Sequence, residues 1–460
     1  MNISPATPQA YKLLHNGVLA LSRAEQQGLR VDLPYIIKTK EYLTSEMERI
    51  DADFKKTTFF KDWTKSSTKA INVNSGDQLA EFLYKTKGIK PPRETKSGKG
   101  STNDETMKEL NIPELNELLK KKQLKKLRDY LNGFEREQVN GYIHPVFNLH
   151  LAQTFRSSSD SPNFQNMPNR DKEAMKIVRS AIYPRPGHML MEADFSGIEV
   201  RSNACINKDK NLIKYIEDPT TDMHGDMAEQ LFKLDKLDKS ITGHGVLRQA
   251  AKNAFVFPEF YGSYYKNCAE GLVGHWGELP KGKWKPGMGI PIGDAKLSDH
   301  LISQDLTNFD KFVQHVKMTE EDFWGNRFIE YAEWKDKWWK KYQKKGYFDI
   351  PTGFRCVGLM DKKQVCNYPG QGSAFHSLLW SFIASDARMQ KEKWDTKLVG
   401  QIHDSIVLDV HPSEKDYIKE TINQILTKEL PKAFEWIIVP MEIEIAEYPI
   451  DGSFAEKIKD

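Results

Sequence analysis

Along most of the chain, apolar residues recur every three or four positions, the period of a helix with one buried face. Leu13, Leu14, Val18, Leu19 and Leu21 carry it through the first half of 8–55. Gly28-Leu29-Arg30-Val31-Asp32-Leu33-Pro34 breaks the pattern, and a charged helix follows. Asn72-Val73-Asn74-Ser75 reads as a cap opening a helix over Gln78-Leu79-Ala80-Glu81-Phe82-Leu83, and the helical period resumes at Leu115, Leu118 and Leu119. Phe328, Tyr331, Trp334, Trp338, Trp339 and Tyr342 mark an aromatic helix that belongs to the core, and Ile418, Ile422, Ile425 and Leu426 line another.

Shorter stretches follow a different rule. Met191-Glu192-Ala193-Asp194-Phe195 is a strand-like run that ends near a carboxylate, after which Ser196-Gly197-Ile198-Glu199-Val200-Arg201 begins a helix. Leu398, Ile402, Ile406, Leu408 and Val410 share one parity and are interrupted by His403-Asp404, which predicts a hairpin with His-Asp at its turn. A second hairpin is expected over Gly346–Gly353, and Asn367-Tyr368-Pro369-Gly370-Gln371-Gly372-Ser373-Ala374 reads as a polar turn leading into a helix. Residues 266–325, with Leu279-Pro280-Lys281-Gly282 and Lys285-Pro286-Gly287, read as an irregular insertion.

With 460 residues there is room for several subdomains. A formal charge of +3 says nothing about nucleic acid, but residues 85–129 hold 13 Lys/Arg against 7 Asp/Glu. That local excess is either a solvated helix face or a surface for nucleic acid. Cys205, Cys268, Cys356 and Cys366 are scattered without zinc-ligand spacing and read as reduced thiols. No long apolar run exists and the N-terminal residues have no signal-peptide pattern, so the expectation is a soluble, cytoplasmic protein with no membrane partner.

The candidate chemistry starts with Asp194 and Asp404. Carboxylates at two strand ends, far apart in sequence, are the hard oxygen ligands that a two-metal phosphoryl-transfer site needs. Arg248 and Lys252 are four apart and share a helix face, as do Phe257 and Tyr261, a pattern suited to gripping a triphosphate and stacking on a base or sugar. The polar segment from Gln153 to Pro168 carries Arg156, Asn163 and Gln165, whose side chains can reach phosphates and minor-groove acceptors.

In this order and approximate spacing the motifs resemble the family A DNA polymerases, the bacterial DNA polymerase I type. Thr154-Phe155-Arg156 through Asn163-Phe164-Gln165-Asn166-Met167-Pro168 is similar to the family's T-x-R…PNLQNIP segment. Asp194–Arg201 resembles motif A, Arg248-x-x-x-Lys252…Phe257-x-x-x-Tyr261-Gly262 motif B, Asn367…Gln371-Gly372 the NxPxQGT segment, and His403-Asp404 motif C. The resemblance implies an α+β right hand: a thumb over 1–150, a first palm part over 151–222, fingers over 223–360, and a second palm part over 361–460. It implies primer extension with dNTPs and two Mg²⁺ ions held by Asp194 and Asp404, with Mn²⁺ as an acceptable substitute.

By the same resemblance Arg248, Lys252 and His224 would meet the incoming phosphates, with Lys252 as acid to the leaving group. Phe257 would face the sugar and base, Tyr261 the templating position, and Glu199 would be a steric gate against ribose. Arg156, Asn163, Gln165, Gln371 and His403 would hold primer and template. The expected partners are primer-template DNA and dNTPs, with a separate exonuclease or processivity factor as further candidates, because no 3′→5′ exonuclease is expected in this chain. A single-subunit RNA polymerase and a silent DNA-binding subunit are the alternatives. The chain departs from the family at Ser405, where many members have a third carboxylate, and at His376, which replaces a frequent Asp. Motif B has one extra residue between Lys252 and Tyr261, with Pro258 inside it.

Overall fold

The structure, a computed structural model, describes residues 2–95, 97–168 and 171–458. Its centre is a four-stranded antiparallel sheet in the order Lys397–Ile402, Ser405–Val410, Met189–Phe195, Ile443–Glu447. Met191, Ala193 and Phe195 are buried while Glu192 and Asp194 point to the other face. The single parity expected for Leu398, Ile402, Ile406, Leu408 and Val410 does not hold, because a bulge between Leu398 and Gly400 sets Ile402 opposite Ser405 and Gln401 opposite Ile406, and Ser405–Val410 is buried on both faces. Ser405 pairs with Asp194 and Ile402 with Ser405, so the two predicted strand ends lie side by side.

Behind the sheet runs the helix Lys362–Glu392, which packs on Pro8–Gln27 and Ile198–Asn207. The polar turn expected at 367–374 is the interior of this helix, and Pro369 lies inside it. Proline there leaves the Val365 carbonyl without its usual donor. The indole N–H of Trp338 donates to that carbonyl instead, at 3.1 Å. Gly370 and Gly372 permit close packing, since a Cβ on Gly370 would meet Asn203 and one on Gly372 would meet Phe155. His376 is buried, shares a hydrogen bond of 2.6 Å with Thr352, and is pushed down to about 3 by burial, so it is a neutral packing residue.

The first 32 residues pack apart from the helices that follow them. Asn2–Pro5 pairs with Phe354–Val357, and Pro8–Gln27 lies on the sheet and on the long helix, to which Arg23 is tied by an ion pair with buried Asp386. The protruding part begins with Leu33–Lys56, which packs against Pro113–Glu137. At its far end Phe54, Phe59, Trp63, Leu79, Phe82, Leu83, Met107, Leu115 and Leu118 form a separate core, and Ser75 caps its helix by accepting from the Gln78 N–H. Part of the basic run is neutralised locally, with Lys121 on Asp51, Lys122 on Asp104 and Lys125 on Asp129.

Residues 266–325 are not irregular. They contain the helices Leu297–Ser303 and Phe309–Asp322 and a short hairpin, Pro291–Ile292 with Ala295–Lys296. Trp284, Leu297, Leu301, Phe312 and Val316 are buried there, which supplies the apolar anchor that a Gly- and Pro-rich reading overlooked. Lys281 reaches Glu270 and Glu109 of the protruding part, both at 3.3 Å. As solvent-exposed pairs these contribute at most about 1 kcal/mol each. The aromatic helix is present as Ile329–Lys345, with Tyr331 and Tyr342 buried.

Replacing Trp338 with Phe keeps the packing and removes the donor. The orphaned Val365 carbonyl should cost about 1–3 kcal/mol, read as a lower midpoint of thermal unfolding; an unchanged midpoint would show that the carbonyl is satisfied another way.

Candidate active site

The site is built on the turn joining Lys397–Ile402 to Ser405–Val410. With Ile402 paired to Ser405, the loop is two residues long, and His403 takes φ 51. A non-glycine residue in that region is strained, so the surroundings must hold it there. Gln401 donates from its amide to the His403 carbonyl, Ser157 donates to Gln401 at 2.8 Å, and Gln165 donates to both Ser157 and Gln401. The Phe195 N–H donates to the Asp404 carbonyl at 3.1 Å, which fixes the turn against the Asp194 strand.

Four carboxylates gather at this end of the sheet. Burial first, then the charges of Glu192, Asp404 and Glu444, push Asp194 up to about 7, although its side chain stays open to solvent. Burial also raises Asp404, opposed by Arg156 and His403. Glu444 is the direct cross-strand partner of Asp194. Ser405 leaves no gap in negative charge, because Glu192 accepts from the Ser405 hydroxyl at 2.7 Å. A carboxylate group that raises its own proton affinity fits a divalent cation, which would relieve the repulsion that the proton now relieves. Among the described residues no three His, Cys, Asp or Glu side chains converge tightly enough to enclose a metal alone, so oxygens from a ligand would have to complete the shell.

Arg156 links Asp404 to the helix that follows the Asp194 strand. It is ion-paired with Glu199 in the first turn of Ile198–Asn207, and its charge acts on Asp404. Burial lowers the Arg156 pKa, while Asp404 raises it. Gln371 is half-buried on the long helix, one residue before the Gly372 contact with Phe155, and so lies near the Arg156 loop. His403 is exposed at the turn. Asn163 caps its own loop by accepting from the Asn166 N–H at 2.9 Å. Gln165 is buried, with its amide directed inward to Ser157 and Gln401 rather than outward.

The second cluster lies in the helix that begins at His244–Ala251. Its next turn, Lys252–Val256, is a π-turn in which the Phe257 N–H donates to the Lys252 carbonyl. One residue more than an α-turn fits in this loop of the helix, and Lys252 and Phe257 stay close across it. The Lys252 ammonium lies 5.4 Å from the Phe257 ring centroid, and the ring meets His224 edge-on at 5.7 Å. Pro258 follows the π-turn, where the helix is already disrupted. Tyr261 ends the helix, and its carbonyl accepts from Asn367 at 2.9 Å.

Arg248 is held by Asp222 through two hydrogen bonds of 2.6 and 2.8 Å. Asp222 also caps the helix carrying His224, so one carboxylate orients both groups. Burial works against its charge, but Arg248 and the Gly225 N–H outweigh it and hold the carboxyl below its usual range. Burial, then Lys252 and Arg248, push His224 down to about 4, and its Nδ1 has no hydrogen-bond partner among the described residues. The geometry thus joins His224, Arg248, Lys252 and Phe257, and separately Asp194, Asp404, Arg156, Glu199 and His403.

Asp222, Glu192, Gln401 and Ser157 are the residues that the motif reading missed. Glu192 has the same strand parity as Asp194, and Asp222 stands at an N-cap position before His224, so both had a local signal. Gln401 and Ser157 had none, because their pairing is set by tertiary structure.

Comparison with known proteins gives the class. The family model described as DNA polymerase family A matches residues 40–277 and 307–448, and the chain belongs to that family. The model passes over 278–306, a shorter insertion than the composition suggested. The thermostable DNA polymerase I of Thermus filiformis is 26% identical over 434 residues, 92% of this chain and 46% of that protein. DNA polymerase I of Aquifex aeolicus is 28% identical over 377 residues, 80% of this chain and 58% of that protein. The chain therefore spans about half the length of the curated relatives it matches. The POL domain of Pol1 from M. smegmatis, solved in complex with DNA primer-template and dNTP, superposes with a TM-score of 0.74 at 21% identity, over 96% of this chain and 70% of that one. The fold is the α+β polymerase right hand, with the central sheet as palm.

The raised Asp194 pKa makes a prediction about stability. Its folded value of about 7 lies above the ordinary aspartate value of 3.8, so the folded state holds the proton more tightly. Stability from this group is present at low pH and is lost as pH rises from 3.8 towards 7. In chelator, Asp194→Asn should melt at a higher temperature than the unmodified protein at pH 8 and close to it at pH 4. An equal difference at both pH values would mean that carboxylate repulsion is not the cause.

Proposed function

We propose that this chain is a template-directed DNA polymerase that extends a primer 3′-hydroxyl with dNTPs and releases pyrophosphate. The observation that carries the proposal is the pairing of Asp194 beside the His403-Asp404 turn in a chain of the DNA polymerase family A. Asp194 and Asp404 would hold two Mg²⁺ ions, with Mn²⁺ as a substitute. Bound there, Mg²⁺ supplies Lewis-acid activation of the 3′-hydroxyl and neutralises the triphosphate and departing pyrophosphate.

The chain's own residues do the rest. Arg248 presents a forked guanidinium to phosphate oxygens once the triphosphate displaces its Asp222 partner. Lys252 lies on the same helix and can give a proton to the leaving pyrophosphate. His224, kept neutral by burial and then by the two cations beside it, donates or accepts a hydrogen bond at the phosphates without adding charge. Phe257 closes over the sugar and base, and Tyr261 stands by the templating position. Glu199, pinned by Arg156, fills the space a 2′-hydroxyl would need and so favours dNTP over NTP.

Arg156, Asn163, Gln371 and His403 would track the primer and template strands. We assign Gln165 to holding the catalytic turn, which it does through Gln401. The domain boundaries we propose follow packing: thumb over 33–137, fingers over 223–360 with the inserted 278–306, and palm over 138–222 and 361–460 joined by the first 32 residues. Primer-template DNA is the proposed macromolecular partner, with a separate exonuclease or processivity factor as a further one. Among the described residues no helix is long and apolar enough to cross a membrane, and the four cysteines are free and buried. Both fit an intracellular site of action, which is where we place it.

Primer extension tests the reading. Extension with dNTPs but not NTPs, lost by more than about a thousandfold in Asp404→Ala, is the expected result. Binding of primed DNA without extension by any nucleotide would overturn it. The π-turn makes a narrower prediction: Phe257→Tyr should ease dideoxynucleotide incorporation relative to dNTP. An unchanged ratio would mean that Phe257 does not face the sugar.

A further inference from the structure

Glu192 is two residues before Asp194 on one strand face and is held by three groups. One carboxylate oxygen accepts from Ser405 at 2.7 Å, while the other faces the Tyr448 hydroxyl at 3.3 Å and Arg179 at 3.6 Å. Arg179 is itself buried and lies over the Phe454 ring at 4.5 Å, so the ion pair is anchored in the core. Ser405 is equally fixed. Its single hydroxyl proton faces both Glu192 and the Ile402 carbonyl, the latter at 3.0 Å. Ile402 and Ser405 are the two ends of the strained turn that carries Asp404.

We infer that Glu192 is a positioning residue: through Ser405 it locks the Asp404 turn against the Asp194 strand and sets the spacing of the two carboxylates for a divalent cation. This rests on the polymerase reading of Asp194 and Asp404. Glu192 meets Arg179 at 3.6 Å and Ser405 at 2.7 Å, and comparing Gln with Ala at 192 separates the carboxylate's charge from its hydrogen bond to Ser405. Gln at 192 would keep an acceptor for Ser405, whereas Ala would not.

The test is Mn²⁺ binding, followed by electron paramagnetic resonance in a stalled complex of the protein with a dideoxy-terminated primer-template and the next dNTP. Asp194→Asn is the control for the underlying site. Glu192→Ala and Ser405→Ala should each weaken Mn²⁺ about tenfold, the double variant about as much as either alone, and Glu192→Gln by less than about threefold, because coupled groups are not additive. Thermal melting of each variant separates loss of fold from loss of metal, and Ser405→Ala and Glu192→Gln keep the question answerable should Glu192→Ala fail to fold.

Wild-type Mn²⁺ affinity in Ser405→Ala would overturn the inference, as would additive losses in the double variant. Equal losses in Glu192→Gln and Glu192→Ala would also overturn it, since charge rather than the hydrogen bond would then be responsible. Unchanged Mn²⁺ binding in Asp194→Asn would instead remove the metal site itself, and the inference with it.

Discussion

The structure depends on a two-residue turn held in a conformation it would not choose alone. His403 sits at positive φ, and it stays there because Gln401 holds its carbonyl, Gln165 and Ser157 hold Gln401, and Ser405 is tied to Glu192. A residue in that region costs on the order of 1–3 kcal/mol when the surroundings do not compensate. The result is that Asp404 projects beside Asp194, from a strand more than two hundred positions away in sequence. The strand register alone brings Ser405 beside Asp194, and the turn adds the direction in which Asp404 projects.

The same logic of local disruption with tertiary support recurs in the helices. Lys252–Val256 widens to a π-turn and thereby keeps Lys252 and Phe257 together, with His224 closing the far side of the ring. Pro369 interrupts the long central helix, and Trp338 supplies the missing donor. Both lie in segments that resemble family motifs, but π-turns also occur at Glu81–Thr86, Glu270–Trp276, Phe323–Arg327 and Ile425–Glu429, so it is the closeness of Lys252 to Phe257 and not the π-turn itself that bears on the site.

What the sequence revealed follows from the range of the interactions. The strand at Asp194, the two-residue His403-Asp404 turn, the Ser75 cap and the aromatic helix are local patterns, and they are present in the structure, whereas the single parity expected from Leu398 to Val410 is broken by a bulge between Leu398 and Gly400. The helix through Asn367–Ala374 was hidden because its rescue comes from a side chain 27 positions earlier. Gln165 looked like a groove-reading side chain, since its composition cannot say that Gln401 takes its amide. Residues 1–32 read as continuous with the helices that follow, and contacts distant in sequence place them elsewhere: Asn2–Pro5 pairs with Phe354–Val357, Arg23 pairs with Asp386, and Pro8–Gln27 packs on the central sheet and the long helix.

The central claim is that Asp194 and Asp404 together hold the ions that the chemistry requires. Anomalous scattering from a crystal of the protein with dideoxy-terminated primer-template, dNTP and Mn²⁺ tests it directly. The account predicts two peaks about 3.5–4 Å apart, bracketed by both carboxylates and the triphosphate. Manganese bound elsewhere, or bound without one of the two aspartates, would contradict it.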